Sequence, residues 1–297
     1  MVEKTKSHPT VTIGFPIYNG QKHLREALDS LLRQDVRDFE LILSDNASTD
    51  ETPQICREYA ARDPRIRYLR NPENLGHIKN FNQLPPMARG EFFLWAAADD
   101  LWDPHFLSKL LQGIRTRPEA VLAFCQGEFF EMNGVAQPRF YTDFPPLEGC
   151  SPAQRVRRIL RYKATCSIVY GLHRTEALLR TGLFRDIDFP ADLFLESELA
   201  AQGPFVIVPE VLFYKRGGGL SATKEDLYYR THKLFSGFSS LRFVGEWPLS
   251  RRDRILVKWE MALRIWGQHR LLWMNRVRRL FSKLRRIPSN RFAFKTG

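Results

Sequence analysis

At 297 residues the chain has room for one large α/β domain with an appendage, or for two small domains; its 43% hydrophobic and 26% charged residues exclude a disordered or fibrous protein. The net charge of +12 is unevenly spread: residues 251–297 hold fourteen Lys and Arg against two Asp and Glu, whereas residues 1–250 hold 31 of each sign. A neutral body with a basic end argues against a basic active-site groove and points to a surface-binding appendage.

The four cysteines, Cys56, Cys125, Cys150 and Cys166, form no CxxC pair and no Cys/His ligand spacing. A zinc site and a disulfide framework are therefore not expected, and a reducing, cytoplasmic setting fits. Residues 1–9 are polar, without the apolar core of a signal peptide. No stretch reaches the about 18 apolar residues of a spanning helix, so a soluble or peripheral protein is expected.

In chain order, Thr10–Ile17 reads as a buried strand broken by Pro16, Asn19 and Gly20, and the spacing of Leu24, Ala27, Leu28, Leu31 and Leu32 predicts a helix over 22–33. Phe39–Leu43 is a second strand, running into Asp45-Asn46-Ala47-Ser48-Thr49-Asp50. A helix over 51–62 follows, with Thr49 or Asp50 as its N-cap. Arg65–Leu69 is a third strand, Asn71–Gly76 a turn, 77–84 a short helix, and Glu91–Ala96 a fourth strand. This alternation predicts a parallel sheet with helices on both faces and ligands at the carboxyl ends of the strands.

Three of those ends are polar: Pro16-Ile17-Tyr18-Asn19, Asp45-Asn46 and Asp99-Asp100. The last pair follows an apolar run, and two adjacent carboxylates repel each other. A divalent cation between them is one reading and a solvated turn the other. Neither GxGxxG nor GxxxxGK[ST] occurs, which disfavours a dinucleotide dehydrogenase or a P-loop enzyme.

Beyond, helices are expected over 106–116, 151–162, 174–180 and from about 189 to 202. Strands are expected at Ala120–Phe130 and Ile168–Leu172, with a pair, Phe205–Val208 and Val211–Tyr214, bent at Pro209. Residues 131–150 read as loop, and Gly217-Gly218-Gly219 as a loop that resists ordering.

Seven segments in order between residues 10 and 220 resemble family 2 glycosyltransferases of the GT-A fold. They are Val11–Asn19 ending in P-x-Y-N, Leu43–Asp50 with D-N-A-S-T-D, Asn74-Leu75-Gly76, Gly90–Pro104 with W-A-A-A-D-D-L-W, Tyr170–Arg174, Ala191-Asp192-x-x-Leu195, and Pro209-Glu210-x-Leu212-x-Tyr214-x-Arg216. The resemblance implies an α/β GT-A (Rossmann-like) fold with a mostly parallel central sheet flanked by helices. Its boundaries fall at a polar extension over 1–9, a catalytic domain over 10–221 with a donor half at about 10–104 and an acceptor half at 105–221, and a helical region over 222–297. It also implies a nucleotide-diphospho-sugar donor, Mg²⁺ or Mn²⁺, and inversion at the anomeric carbon.

By the same resemblance, Pro16, Tyr18, Asn19, Asp45, Asn74, Asp99 and Arg216 would bind the donor, Asp100 the metal, and Asp192 would be the general base. Each role has a chemical basis and a plainer alternative. Asp45 can accept the imide N–H of a base, or cap an Asx turn. Tyr18 can pack on the base or in the core. Asp192 can take an acceptor proton, or cap the following helix. Arg216 can close on the diphosphate or be a surface charge. His77 and His173 read as structural or surface residues. Two departures stand out: Ala97 replaces the first acid of the commoner L-D-x-D-D pattern, as in a subgroup that keeps the last two, and Gly218 stands where many relatives carry His.

Ser250 and Asp253 resemble a capping box, and Ile255, Trp259, Leu263, Trp266, Trp273, Val277, Leu280 and Leu284 recur at helical spacing toward Ile287 and Pro288. A basic amphipathic helix with tryptophans over 251–287 suits an anionic membrane surface, while packing on the catalytic domain with a solvated basic face is the alternative. Nucleic acid is not an expected partner, because no basic patch continues into the body.

The reading reached from sequence is an inverting transferase, cytoplasmic and peripheral on the inner face of the membrane. It would move a sugar to a lipid-linked or glycan acceptor in cell-surface polysaccharide assembly. A sugar-1-phosphate nucleotidyltransferase is the alternative, though such enzymes carry a Gly-rich loop where Phe15–Asn19 stands. A non-catalytic nucleotide-sugar-binding protein is the third reading, with Ala97 as its mark.

Overall fold

The computed structural model describes residues 8–130, 139–140, 144–162, 168–187, 190–217 and 239–266. The apolar runs of the first hundred residues form β1 (Val11–Ile17), β2 (Phe39–Asp45), β3 (Ile66–Arg70) and β4 (Phe92–Trp95), linked by α1 (Leu24–Leu32), α2 (Thr52–Arg62) and α3 (His77–Asn82). β1, β2 and β4 are buried throughout, as expected of strands covered by helices on both faces. α1 buries Leu24, Ala27, Leu28 and Leu31, the face its spacing predicts.

The next elements are β5 (Leu101–Trp102), α4 (Phe106–Arg115), β6 (Leu122–Phe130), β7 (Arg139–Phe140), α5 (Pro152–Arg161), β8 (Leu172–Arg174), α6 (Thr175–Leu179), α7 (Ala191–Gln202) and β9 (Phe205–Arg216). The strands form one sheet in the order β3-β2-β1-β4-β8-β6-β9-β5, with β7 on β6. Pairing is parallel through β3-β2-β1-β4 and between β6 and β9. It is antiparallel at β4–β8, β8–β6, β9–β5 and β6–β7, so β6 and β9 run in the same direction as β1–β4 and only β5, β7 and β8 run against them.

Three expectations change locally. The stretch Ile168–Leu172 is a 3-10 turn at Ile168–Tyr170 followed by β8, because Gly171 closes the turn with its N–H on the Ile168 carbonyl. A Cβ at Gly171 would stand 2.5 Å from the Ala123 carbonyl oxygen, so the backbone comes close only without one. The expected strand pair around Pro209 is one strand, β9, which absorbs the proline at a register shift opposite Cys125, Gln126 and Gly127. The expected N-cap of α2 is displaced: the helix starts at Thr52 with Glu51 before it, while Asp50 Oδ1 accepts the Thr52 N–H at 3.0 Å.

The C-terminal region is docked where it is described. A 3-10 helix at Ser239–Glu246 leads to α8, residues 251–266. Phe243 and Trp247 meet Phe194 of α7 at ring-centroid distances of 6.2 and 5.3 Å, and the Trp247 indole donates to Glu198 Oε1 at 3.1 Å. On α8, Glu260 accepts from Arg161 at 2.8 Å and from Arg157 at 3.4 Å, and Val257, Met261 and Ile265 are buried. The cap at Ser250 forms as expected, with the Asp253 N–H on Ser250 Oγ at 3.1 Å. The opposite side of α8 exposes Ile255, Leu256, Trp259, Leu263 and Trp266. Packing and exposure therefore divide the helix between its two faces. Trp273, Val277, Leu280, Leu284 and the expected helix end near Ile287 lie outside the described residues, as do Gly218, Gly219 and most of 1–9.

Candidate active site

Strand order reverses at β1: β2 and β3 lie on one side, β4 on the other. The carboxyl ends on either side of such a point form a ready-made crevice. Pro16 helps to open it. The Gly14 carbonyl accepts the Ala96 N–H at 2.9 Å, and Pro16, two residues on and facing the same neighbour, has no N–H to continue that ladder. The chain leaves β4 there and runs through Ala97 and Ala98 to Asp99 and Asp100.

The ends of β1 and β2 are stitched together. The Asn46 N–H reaches the Ile17 carbonyl at 2.8 Å, the Asn19 N–H reaches Ser48 Oγ at 2.9 Å, and Asn19 Oδ1 accepts the Thr49 N–H at 2.9 Å. Asn19 has φ of 50°, a left-handed turn position that asparagine tolerates. Tyr18 is 44% exposed at this edge, which sets aside core packing for its ring. Asn74 Oδ1 accepts from the Asn46 side-chain amide at 2.7 Å and so ties the turn after β3 to the same edge.

Asp45 is fully buried. Its Oδ1 accepts the Ser48 N–H at 2.8 Å, and its Oδ2 accepts from Tyr68 Oη and from Arg70, both at 2.9 Å. Burial and the bond to Asp45 push the Tyr68 hydroxyl up to about 12. Of these partners Arg70 is the exposed one, with 41% of its side chain accessible.

Asp99 is half-buried and Asp100 is 2% exposed. The short strand β5 carries the chain from Asp100 into antiparallel pairing with β9, Leu101 opposite Tyr214 and Trp102 opposite Phe213. That register lays Lys215 and Arg216 beside the acidic turn. The Arg216 N–H donates to Asp100 Oδ1 at 3.1 Å, and Arg216 Nε donates to the Asp99 carbonyl at 3.0 Å. Burial pushes the Asp100 carboxyl up to about 7, Asp99 adds to the rise, and Lys215 and Arg216 oppose it.

A buried carboxyl whose charged form is disfavoured by burial and by Asp99 fits a hard cation, which would favour that form. Among the described residues no group of three metal-ligating side chains occurs. The one carboxylate of Asp100 suits a cation that would take its remaining ligands from water and substrate phosphates, the usual manner of Mg²⁺.

Asp192 lies inside the first turn of α7, which begins at Ala191 after Pro190 as N-cap; its Oδ1 accepts the Leu193 N–H at 2.9 Å. It is half-buried, and among the described residues no hydrogen bond joins it to the strand-end cluster. The connection runs through packing: α7 lies on the turn Ile168–Tyr170, and the Tyr170 ring touches Phe213 at 5.8 Å and carries Lys215 Nζ at 5.2 Å. One turn after Asp192, Glu196 is wholly buried, and burial, then Asp192, hold its carboxyl well above the usual range.

His173 is buried against Trp95, its Nδ1 3.3 Å from the Phe93 carbonyl, and burial pushes it down to about 4; His77 is exposed. A cavity of about 180 Å³ lies beneath the C-terminal segment, lined by Arg180, Arg185, Glu198 and Trp247 among others, and no strand-end residue lines it.

The sequence alone reads Glu196 and Glu198 as solvated, whereas both are buried, and it gives no sign of Glu26, Arg70, Lys215 or Arg264. Each is a charged residue in an ordinary helical or strand position. Only the pairing of distant elements gives it a partner.

A family model described as "Glycosyl transferase family 2" matches residues 12–188. An uncharacterised protein of Mycobacterium tuberculosis is 32% identical over 276 residues, covering 81% of this chain and 77% of that protein. Glycosyltransferase GlyG of Streptococcus pneumoniae is 22% identical over 232 residues, covering 73% and 74%. Among solved structures, S. aureus TarS 1–349 in complex with UDP-GlcNAc superposes with a TM-score of 0.65 at 19% identity, over 87% of this chain and 73% of that one. Mannosyltransferase PcManGT from Pyrobaculum calidifontis, in complex with GDP-Man and Mn²⁺, gives 0.59 at 19% identity, over 87% and 70%.

Proposed function

The chain belongs to glycosyl transferase family 2, and on that premise we propose that it moves a hexosyl unit from a nucleotide-diphosphate sugar to an acceptor hydroxyl with inversion. The observation that carries this reading is the gathering of Tyr18, Asp45 and Asp99-Asp100 at the carboxyl ends of β1, β2 and β4, where the strand order reverses.

In this reading Tyr18 lies along the base and Asp45 accepts its imide N–H once Arg70 has moved aside. Pro16, Asn19 and Asn74 hold the edge in shape. Asp99 faces the ribose or sugar. Asp100 would hold a Mg²⁺ or Mn²⁺, which when bound would supply positive charge to the leaving diphosphate. Asp192 takes the proton of the acceptor hydroxyl as that oxygen forms its bond to the anomeric carbon and the bond to the diphosphate breaks. Arg216 steadies the acidic turn from the end of β9.

The acceptor is a glycan or a lipid-linked saccharide, as in surface polysaccharide assembly. Among the described residues no helix is long and apolar enough to cross a membrane. The exposed apolar face of α8, on the segment that holds the chain's net positive charge, supports a peripheral seat on an anionic cytoplasmic membrane face.

A thermal-shift screen of UDP-, GDP- and dTDP-sugars, with and without Mn²⁺, tests the reading. A donor present at one hundred times its Kd stabilises by about 2.7 kcal/mol. We expect one base to raise the melting temperature, Asp100→Asn to lose the Mn²⁺-dependent part, and Asp192→Asn to keep donor binding while losing transfer. No shift with any donor, or full transfer by either variant, overturns it. Pyrophosphate release from a nucleoside triphosphate would favour the nucleotidyltransferase instead.

A further inference from the structure

Arg216 is the best-held charged side chain around the acidic turn. Its side chain is 4% exposed. Its backbone N–H binds the Asp100 carboxylate, its Nε binds the Asp99 carbonyl, and its guanidinium lies over the Phe130 ring at 4.5 Å. A further contact reaches across the fold: a terminal guanidinium nitrogen donates to Glu26 Oε2 at 2.6 Å, 190 residues away in sequence.

Glu26 sits in the first turn of α1, the helix that follows the Tyr18–Gly20 edge, and 54% of its side chain is exposed. A carboxylate in the first turn of a helix is favoured by the helix dipole alone. That preference does not aim it at a buried guanidinium on β9. An exposed ion pair would contribute little. This one ends on an arginine whose other bonds fix both residues of the acidic turn.

We propose that Glu26 is a positioning residue of the donor and cation site: it orients the Arg216 guanidinium, whose Nε holds the Asp99 carbonyl and with it the turn that presents Asp100. The inference rests on the reading of Asp100 as the cation ligand. Outer partners that orient a metal ligand typically cost about 10–100-fold in metal affinity when removed. Glu26 is half exposed and alanine is a strong helix former, so Glu26→Ala leaves the helix intact.

The test is Mn²⁺ binding, alone and with UDP, followed by the electron paramagnetic resonance signal of free Mn²⁺, with melting temperatures measured in parallel. Glu26→Ala is expected to bind Mn²⁺ at least tenfold more weakly at an unchanged melting temperature. The control is Glu58→Ala, which removes a half-buried carboxylate of α2 paired with Arg25 of α1 and is expected to bind as wild type does. Equal affinity in Glu26→Ala and wild type overturns the inference and leaves the functional reading standing. So does a lower melting temperature with unchanged affinity, which is what a purely structural pair would give. Wild-type protein that binds no Mn²⁺ in either condition removes the reading of Asp100, and the inference with it. If Glu26→Ala folds poorly, Glu26→Gln, of equal length and no charge, gives the same comparison.

Discussion

Replacing Glu196 by glutamine should stabilise the protein, and by an amount that grows with pH. The side chain is wholly buried on α7, and its Oε1 has no hydrogen-bond partner among the described residues. Burial is the largest cause holding its carboxyl in the protonated form, and Asp192, one turn earlier, acts in the same direction. Arg264 of α8 opposes them, but its guanidinium is engaged by the Leu160 carbonyl and its Nε is also unpartnered among the described residues. A carboxylate left charged in such a place costs several kcal/mol, more than a cation without direct contact returns.

The sign follows from proton linkage. Below about pH 4.5 the carboxyl is protonated in both folded and unfolded chains, and pH has no effect through this group. As pH rises, the unfolded chain loses its proton first, so stability falls by about 1.4 kcal/mol per unit until the folded group ionises. Glutamine has no such penalty. The gain therefore grows with each pH unit above the unfolded value, by up to roughly 3–6 °C in melting temperature per unit, until the folded carboxyl ionises. Denaturant unfolding of both proteins from pH 4.5 to 8 measures it. A difference that does not change with pH refutes the reasoning. So does a variant less stable at pH 7.5, which would mean that Glu196 is ionised and balanced by Arg264.

Two further outcomes are expected. Above pH 6.5 His173 is neutral in both states; below it the unfolded chain protonates first, because burial pushes the folded ring down to about 4. Wild type should therefore lose up to about 1.4 kcal/mol per unit relative to His173→Phe between pH 6.5 and 4, and parallel curves from the two proteins would contradict this. Replacing Trp259 and Trp266, 67% and 60% exposed, by glutamate should abolish co-sedimentation with phosphatidylglycerol vesicles while leaving the buried face of α8 in place. Unchanged sedimentation, or equal binding to zwitterionic vesicles, counts against the membrane face.

The first hundred residues were legible because each strand is an apolar run of its own and each helix has one apolar face. β1 to β4 and α1 to α3 fall close to where periodicity puts them. Legibility drops after Asp100, where antiparallel partners replace crossovers. β5 is two residues long, too short for any pattern, yet its pairing with β9 brings Arg216 to Asp100, 116 residues apart. The expected Asp45 and Asp99-Asp100 cluster needed only strand ends. Arg216 was expected at the donor, but its bonds to the acidic turn, and the parts of Glu26 and Lys215, follow only from the pairing of β9 with β5 and the packing of α1.

The basic C-terminal stretch shows most plainly why charge counting stops short. Its two acids are Asp253 and Glu260. One completes the cap with Ser250, and the other takes Arg157 and Arg161 of α5. Both serve the folding and docking of α8. Among its described residues the helix therefore turns its acid toward the domain and leaves apolar rings and basic residues outward. Net charge located the segment, and the positions of two acids decide which way it faces. The docking also sets Arg264 close enough to Glu196 and Asp192 to act on their charge, although the family match ends at residue 188. The surroundings of the proposed base are completed by residues beyond the segments that identify the family.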